Sequence, residues 1–294
     1  MTVSSLAAII LTKNEERDLP ACLESLKDTA AEIYVVDSGS TDRTVAIAQE
    51  RNARVLIHAF HNHATQFNWA LENIHSSCEW ILRIDADERL SQELRRELRR
   101  ALPNAGENVG GMMVPLRIRF LGRDLRWGGT YPIWLLRVVR RGAGRCEETW
   151  MDERIVLSHG IVERVHGDLI HDIPKSLSEW TVKHNRYSDL ECLDILGSGD
   201  KRVQGGATLF GQPSAQRRWL KQNVYGRSPL FFRAFLYWFY RYFLKFGILD
   251  GRPGLIYHCL QGFWYRFLVD AKLYERSYAT RREGDTAASP NPVL

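Results

Sequence analysis

The amino-acid sequence predicts an α/β fold, with a mainly parallel central sheet followed by a helical region rich in aromatic and basic residues. Three observations predict it. Short apolar runs alternate with segments of helical periodicity over the first hundred residues. Acidic residues stand at the ends of three of those runs. The last part of the chain differs in character: residues 210–294 hold 13 Lys/Arg against 5 Asp/Glu, a net of +8, and 20 of the 32 aromatic residues. The total is +5, so residues 1–209 are left at −3. A slightly acidic front and a basic, aromatic back suggest two jobs on one chain of 294 residues.

The elements follow in order. Residues 6–11 are an unbroken apolar run that reads as a buried first strand, too short and without the basic flank of an export signal. Leu19, Leu23 and Leu26 recur at helical spacing. Residues 33–36 make a second strand, and Val45, Ala46 and Ala48 lie in a helix entered through Ser40-Thr41-Asp42. A third strand at 55–57 precedes a helix carrying Phe67, Ala70, Leu71 and Ile74, and a fourth strand spans 80–84. Strand and helix in alternation imply right-handed βαβ units and a sheet covered on both faces. After a helix over 91–102 come strands at 112–121 and 134–139 around a Gly-Gly loop, then mixed strand and turn over 155–165, and helix from Leu177.

These patterns divide the chain into an α/β domain over 1–196, a hinge or mobile loop over 197–216, a helical region over 217–282 and a disordered tail over 283–294. The five cysteines (Cys22, Cys78, Cys146, Cys192, Cys259) are odd in number and form no C-x-x-C pair, which points to a reducing compartment. No run of about 20 uncharged apolar residues exists, so no transmembrane span is expected.

Ligands of open parallel sheets bind beyond the carboxyl ends of the strands. Here those ends read Thr12-Lys13-Asn14-Glu15, then Asp37-Ser38-Gly39-Ser40-Thr41-Asp42, then Asp85-Ala86-Asp87-Glu88. Two bare carboxylates about 4 Å apart repel by roughly 4 kcal/mol at an effective dielectric of 20. A divalent cation removes that cost and bridges to a diphosphate, and oxygen ligands suit Mn²⁺ or Mg²⁺. Asp37 either accepts hydrogen bonds from a ribose or base, or serves the Ser/Thr loop that caps the next helix. Neither G-x-G-x-x-G nor a P-loop is present, which disfavours dinucleotide binding and ATP hydrolysis.

The motif order is specific. Leu11-Thr12-Lys13-Asn14-Glu15-Glu16, Val35-Val36-Asp37-Ser38-Gly39-Ser40-Thr41-Asp42 and Ile84-Asp85-Ala86-Asp87-Glu88 resemble the successive motifs of family-2 glycosyltransferases with the GT-A fold. Gln66-Phe67-Asn68-Trp69-Ala70-Leu71, residues 154–171 and Gly247-Ile248-Leu249-Asp250-Gly251 resemble the lipopolysaccharide core-type members, β-1,4-glucosyltransferase-like. The resemblance implies a UDP-sugar donor, UDP-glucose first, and an inverting transfer to a lipid-linked saccharide. It places Thr12, Asn14, Glu15, Asp37, Gln66, Asn68, Asp85, Ala86 and Asp87 around the donor, with Asp87 and Asp85 as metal ligands. Glu153 stands at the position of the catalytic base, with Asp152 as its rival. Relatives carry a basic residue where this chain has Thr65, so the diphosphate relies on metal plus Arg117, Arg126 or Arg137, unranked. Of His159, His166 and His171, whose spacing matches no zinc motif, His171 is the candidate to line the site.

In the back half, Arg233, Arg241 and Lys245 fall within an arc of roughly 120° on a helix of 3.6 residues per turn, beside a broad aromatic face. That pattern predicts a peripheral enzyme on an anionic membrane surface, at the inner face of a bacterial plasma membrane, and leaves oligomerisation open. Arg266 and Asp270 are spaced as an i,i+4 pair. Competing classes are a nucleotidyltransferase of similar fold, which would need a glycine- and basic-rich phosphate loop, and a nucleic-acid binder, whose charges should line a groove. Neither feature is in the sequence, so no nucleic-acid partner is expected.

Overall fold

The computed structural model describes residues 6–147, 154–173, 176–197 and 229–287. The chain forms two compact units, Met1–Pro174 and Lys175–Leu294.

In the first unit β1 (Leu6–Thr12) is buried along its whole length and lies parallel between β2 (Glu32–Asp37) and β4 (Trp80–Asp85). Its unbroken apolar run follows from two covered faces. Leu6, Ala8 and Ile10 enter one core, whereas Ala7, Ile9 and Leu11 enter the other, as the two-residue period of a strand dictates. The first core also takes Leu19 and Leu23 of α1 (Leu19–Leu26) and Leu94 and Leu98 of α4 (Gln92–Ala101). The second takes Ala64, Phe67 and Ala70 of α3 (His63–Asn73). On the outer side of β2 runs β3 (Arg54–Ile57), also parallel, after α2 (Thr44–Glu50). The register pairs Thr12 with Asp37 and Leu11 with Asp85, so three strands end at one rim.

Beyond β4 the sheet is mixed. β8 (Ile133–Arg140) is antiparallel to β4 and to β6 (Val109–Phe120). β12 (Leu169–Ile173) runs parallel to β6, and the short β5 (Glu88–Leu90) runs antiparallel to β12, pairing Glu88 with His171. β5 therefore folds the chain after Asp87 back against His171. β7 (Arg123–Asp124) and β11 (Ile161–Arg164) also pair with β6, and β9 (Gly144–Cys146) with β10 (Ile155–Leu157) forms a separate two-stranded sheet. Helix α4 starts on a Ser91 cap whose Oγ accepts from the Leu94 N–H at 3.1 Å. Its Glu97 accepts the His166 and Gly167 N–H groups at 2.8 Å each, fixing the turn before β12.

In the second unit, α5 (Leu177–Gly197) packs on α8 (Tyr265–Ala287) through Cys192, Tyr265 and Val269. Helix α5 thus belongs with the C-terminal helices, not with the sheet as a boundary at residue 196 implies. Helix α8 also continues to Ala287, past Arg282, where the sequence suggests a disordered tail. The expected hinge over 197–216 lies, apart from Gly197, outside the described residues. Between them are α6 (Phe232–Phe239), a π-helical turn over Tyr240–Leu244, a 3₁₀ turn over Gly247–Asp250, α7 (Gly251–Tyr257) and a second π-helical stretch, His258–Trp264. A Cβ on Gly247 would stand 2.6 Å from the His258 ring nitrogen, so only glycine admits the buried imidazole.

The charges pair differently from the sequence expectation. Arg266 donates to Glu191, not to Asp270. Asp270 instead receives Arg233 Nε at 2.8 and 3.0 Å and the Phe231 N–H at 2.8 Å. Arg233 is buried in that ion pair, so it is no part of a basic surface. Among the described residues no helix is long and apolar enough to cross a membrane.

Candidate active site

The loop after β1 and the loop after β2 are sewn together by side chains. Asp37 is fully buried, and its two oxygens accept from Thr12 Oγ1 at 3.0 Å, Gly39 N at 2.9 Å, Ser40 N at 2.8 Å and Ser40 Oγ. Asn14 has φ +54°, a left-handed conformation that asparagine tolerates. Its N–H donates to Ser40 Oγ and its Oδ1 accepts from Thr41 N, both at 2.8 Å. The Glu15 N–H donates to Thr44 Oγ1 at 2.8 Å. The backbone of Asn14 and Glu15 is thereby held at the rim, and the Asp37 carboxylate organises the loop from beneath it.

The exit of β4 carries the charge. Asp85 Oδ2 accepts from Arg137 Nη2 at 3.2 Å, and Arg83 Nε stands 4.0 Å from Oδ1. Glu88 closes a ring: one oxygen accepts the Asp85 N–H at 2.9 Å, and the other accepts Arg137 Nη2 at 2.8 Å. Burial alone would raise the Asp85 carboxyl, but the Arg137 and Arg83 guanidiniums outweigh it and hold Asp85 well below the usual range. Glu88 goes the other way: burial pushes it up to about 8, and Asp85 and Asp87 add to this against the pull of Arg137. Ala86 is buried, whereas Asp87 is partly open and faces His171, with Nε2 to Oδ2 at 3.7 Å. That separation is beyond a hydrogen bond.

Asp85 Oδ1 is buried and accepts no hydrogen bond. An orphaned carboxylate oxygen beside a second carboxylate fits a cation with oxygen ligands. Mg²⁺-type sites use one or two carboxylates and take their other ligands from phosphates and water. Among the described residues no group of three or more His, Cys, Asp or Glu forms a complete metal cage, as that coordination mode requires none.

Helix α3 supplies two amides that clamp backbone. Gln66 Nε2 donates to Ser38 Oγ and to the His58 carbonyl, both at 3.1 Å, while its Oε1 meets His58 Nδ1 at 2.7 Å. Asn68 Nδ2 donates to the Cys146 carbonyl at 3.0 Å and its Oδ1 accepts the Cys146 N–H at 2.9 Å. Both side chains are buried, so they shape the site from below. Of the three arginines left unranked, Arg137 is buried between Asp85 and Glu88, Arg117 bridges Asp124 and Asp168, and Arg126 is exposed. His159 Nδ1 meets Ser158 Oγ at 2.9 Å. Asp152 and Glu153 lie outside the described residues. Sequence reasoning missed Glu88, Arg83 and Arg137 as one network. Its one visible signal is Arg83, a charge inside the apolar run of β4.

A strand-end rim of carboxylates on a doubly covered sheet marks the ligand-binding edge of an α/β enzyme. Residues 7–139 match the model of "Glycosyl transferase family 2". The lipopolysaccharide core biosynthesis glycosyltransferase LpsC of Rhizobium meliloti (strain 1021) is 32% identical over 277 residues, 92% of each chain. An uncharacterized glycosyltransferase of Rickettsia felis is 41% identical over 95 residues, 32% of each. The chain belongs to glycosyl transferase family 2, and its first unit has the GT-A architecture expected of it. Among solved structures, glucosyl-3-phosphoglycerate synthase from Mycobacterium tuberculosis with Mn²⁺ and UDP shares 22% identity over 39% of this chain and 44% of that one. Its TM-score is 0.31, too slight a likeness to carry an argument.

Proposed function

We propose that this enzyme transfers a sugar with inversion from a UDP-sugar, UDP-glucose first, to a hydroxyl of a lipid-linked glycan. The setting is lipopolysaccharide or cell-surface polysaccharide assembly at the inner face of a bacterial plasma membrane. The observation that carries the reading is the convergence of Asp85 and Asp87 at the rim where β1, β2 and β4 end, in a chain similar along 92% of its length to a core-biosynthesis glycosyltransferase.

Asp87, with Asp85 at the same strand end, would hold Mn²⁺ or Mg²⁺, its remaining ligands coming from phosphate and water. When bound, the cation supplies charge neutralisation to the diphosphate leaving group. The rim formed by Thr12, Asn14 and Glu15 would receive the uridine, with the backbone set by Asp37 and Gln66 beneath. Of Arg117, Arg126 and Arg137, Arg126 is the exposed one and is assigned to the diphosphate. Glu153, or Asp152 beside it, takes the proton of the acceptor hydroxyl as its oxygen bonds to the anomeric carbon, and the diphosphate departs from the opposite face. A carboxylate there also favours the positive charge that develops on the sugar ring.

A donor-hydrolysis screen over UDP-, GDP- and dTDP-sugars with Mn²⁺ and Mg²⁺ tests the reading. Cation-dependent turnover of a UDP-sugar is the expected outcome, and turnover confined to another nucleotide would refute the donor assignment. Glu153→Gln should abolish transfer while leaving donor affinity within about twofold, because the role proposed for it is proton removal from the acceptor. If Asp152→Asn is the more damaging change, the base is Asp152.

A further inference from the structure

We propose that the outward face of α6 and the turn after it is an insertion surface for an anionic lipid bilayer. This deepens the membrane-facing part of the proposed function and rests on it for its biological setting, but the face is defined by geometry of its own.

A helix in water turns its apolar stripe inward and its charges outward. Helix α6 does the reverse. Its buried positions are Arg233 and Ala234, followed by Tyr242 in the next turn. Phe232, Phe235, Leu236, Phe239, Phe243 and Leu244 are between 41% and 61% exposed. Their spacing of three and four residues makes them one stripe. The rings run along it as a ladder, Phe235 to Phe239 at 6.4 Å and Phe239 to Phe243 at 5.0 Å between centroids. The orientation is locked, because Arg233 is tied inward to Asp270, which also holds the Phe231 N–H. Rotating the stripe inward would expel that ion pair.

A contiguous exposed apolar stripe marks an interaction surface, and the charge around it selects the partner. Residues 229–269 contain one acid, Asp250, and it is buried. Lys245 and Arg252 are exposed in the same stretch. Within residues 229–269 the stripe is accompanied by exposed cations and by no exposed carboxylate, which fits anionic headgroups above acyl chains. With no helix of spanning length among the described residues, the stripe would lie in the plane of the interface.

The test is co-sedimentation of the full chain with vesicles of equal parts phosphatidylcholine and phosphatidylglycerol, and with pure phosphatidylcholine. Replacing Phe235, Phe239 and Phe243 together by Ser should weaken binding to the mixed vesicles by at least about 100-fold. These side chains are exposed, so circular dichroism and the unfolding midpoint should stay near wild type. Lys245→Gln with Arg252→Gln should weaken binding to mixed vesicles about tenfold, leave neutral vesicles nearly unaffected, and be mimicked by high salt. Wild-type binding by the triple Ser variant would overturn the proposal. So would a wild-type dimer, seen by sedimentation velocity, that the triple variant dissociates while neither protein binds vesicles; the face then belongs to a second copy. Donor hydrolysis separates this from the enzymatic reading: vesicle binding through the stripe without hydrolysis of any donor would keep the surface and refute the transferase chemistry.

Discussion

Arg137 sits between the carboxyl groups of Asp85 and Glu88 at the exit of β4, and its guanidinium donates to both. Its own proton is bound more tightly than usual: burial works against the charge, but Glu88 and Asp85 outweigh it. Removing one member of such a buried set leaves the others uncompensated, at a cost of about 3–5 kcal/mol. Arg137→Met should therefore lower the unfolding free energy of the first unit by that amount in urea titrations at neutral pH. Arg137→Lys should recover part of it, and a loss under about 1 kcal/mol would show that the network contributes little. Much of this site is legible in the sequence as carboxylates at strand ends, because strand ends in a parallel sheet fall at one rim by topology alone. Glu88 is not, since its partners are the Asp85 N–H and an arginine 49 residues away. Asp37 shows the opposite limit: the residue is at the expected place, but its four accepted hydrogen bonds make it a loop organiser.

Asn68 and the strand it clamps show how an element is fixed by a partner rather than by its own sequence. β9 spans only Gly144–Cys146, too short for a period-two pattern to be read, and Asn68 closes two hydrogen bonds on the Cys146 backbone. Asn68→Ala would leave buried donor and acceptor groups unmet, costing about 2–3 kcal/mol. Faster amide exchange confined to β9 and β10 is the expected signature, and unchanged exchange there would assign the clamp no role. The longer elements were readable for the converse reason. β1 is covered on both faces and so is apolar throughout, and α4 has a serine cap and leucines four residues apart. In α6 the helical period is equally clear, yet periodicity alone does not tell which face packs. The Arg233–Asp270 pair decides it, and the sequence pairs Asp270 with Arg266 instead.

At the scale of the whole molecule, each unit has its own buried polar centre. In the second unit it is His258, fully buried with neither ring nitrogen hydrogen-bonded. Burial, and then the charge of Arg241, push its pKa down to about 4 from an ordinary value near 6.5. The unfolded chain therefore binds the proton first. This contribution to stability is full above pH 6.5 and is lost as pH falls from 6.5 toward 4, by about 3 kcal/mol. His258→Leu should flatten that part of the decline, read from unfolding by tryptophan fluorescence at several pH values; an unchanged slope would show that His258 is not its source. In the first unit the proposed transfer turns on Asp87, which would tie a divalent cation to the diphosphate of a UDP-sugar at the rim of the sheet. Calorimetric titration of UDP-glucose into wild type and Asp87→Asn, each with and without Mn²⁺, tests it most directly. Mn²⁺-dependent binding by wild type is expected, weakened at least about 100-fold in a variant with an unchanged unfolding midpoint. Equal binding by the two proteins, or wild-type binding indifferent to Mn²⁺, would contradict it.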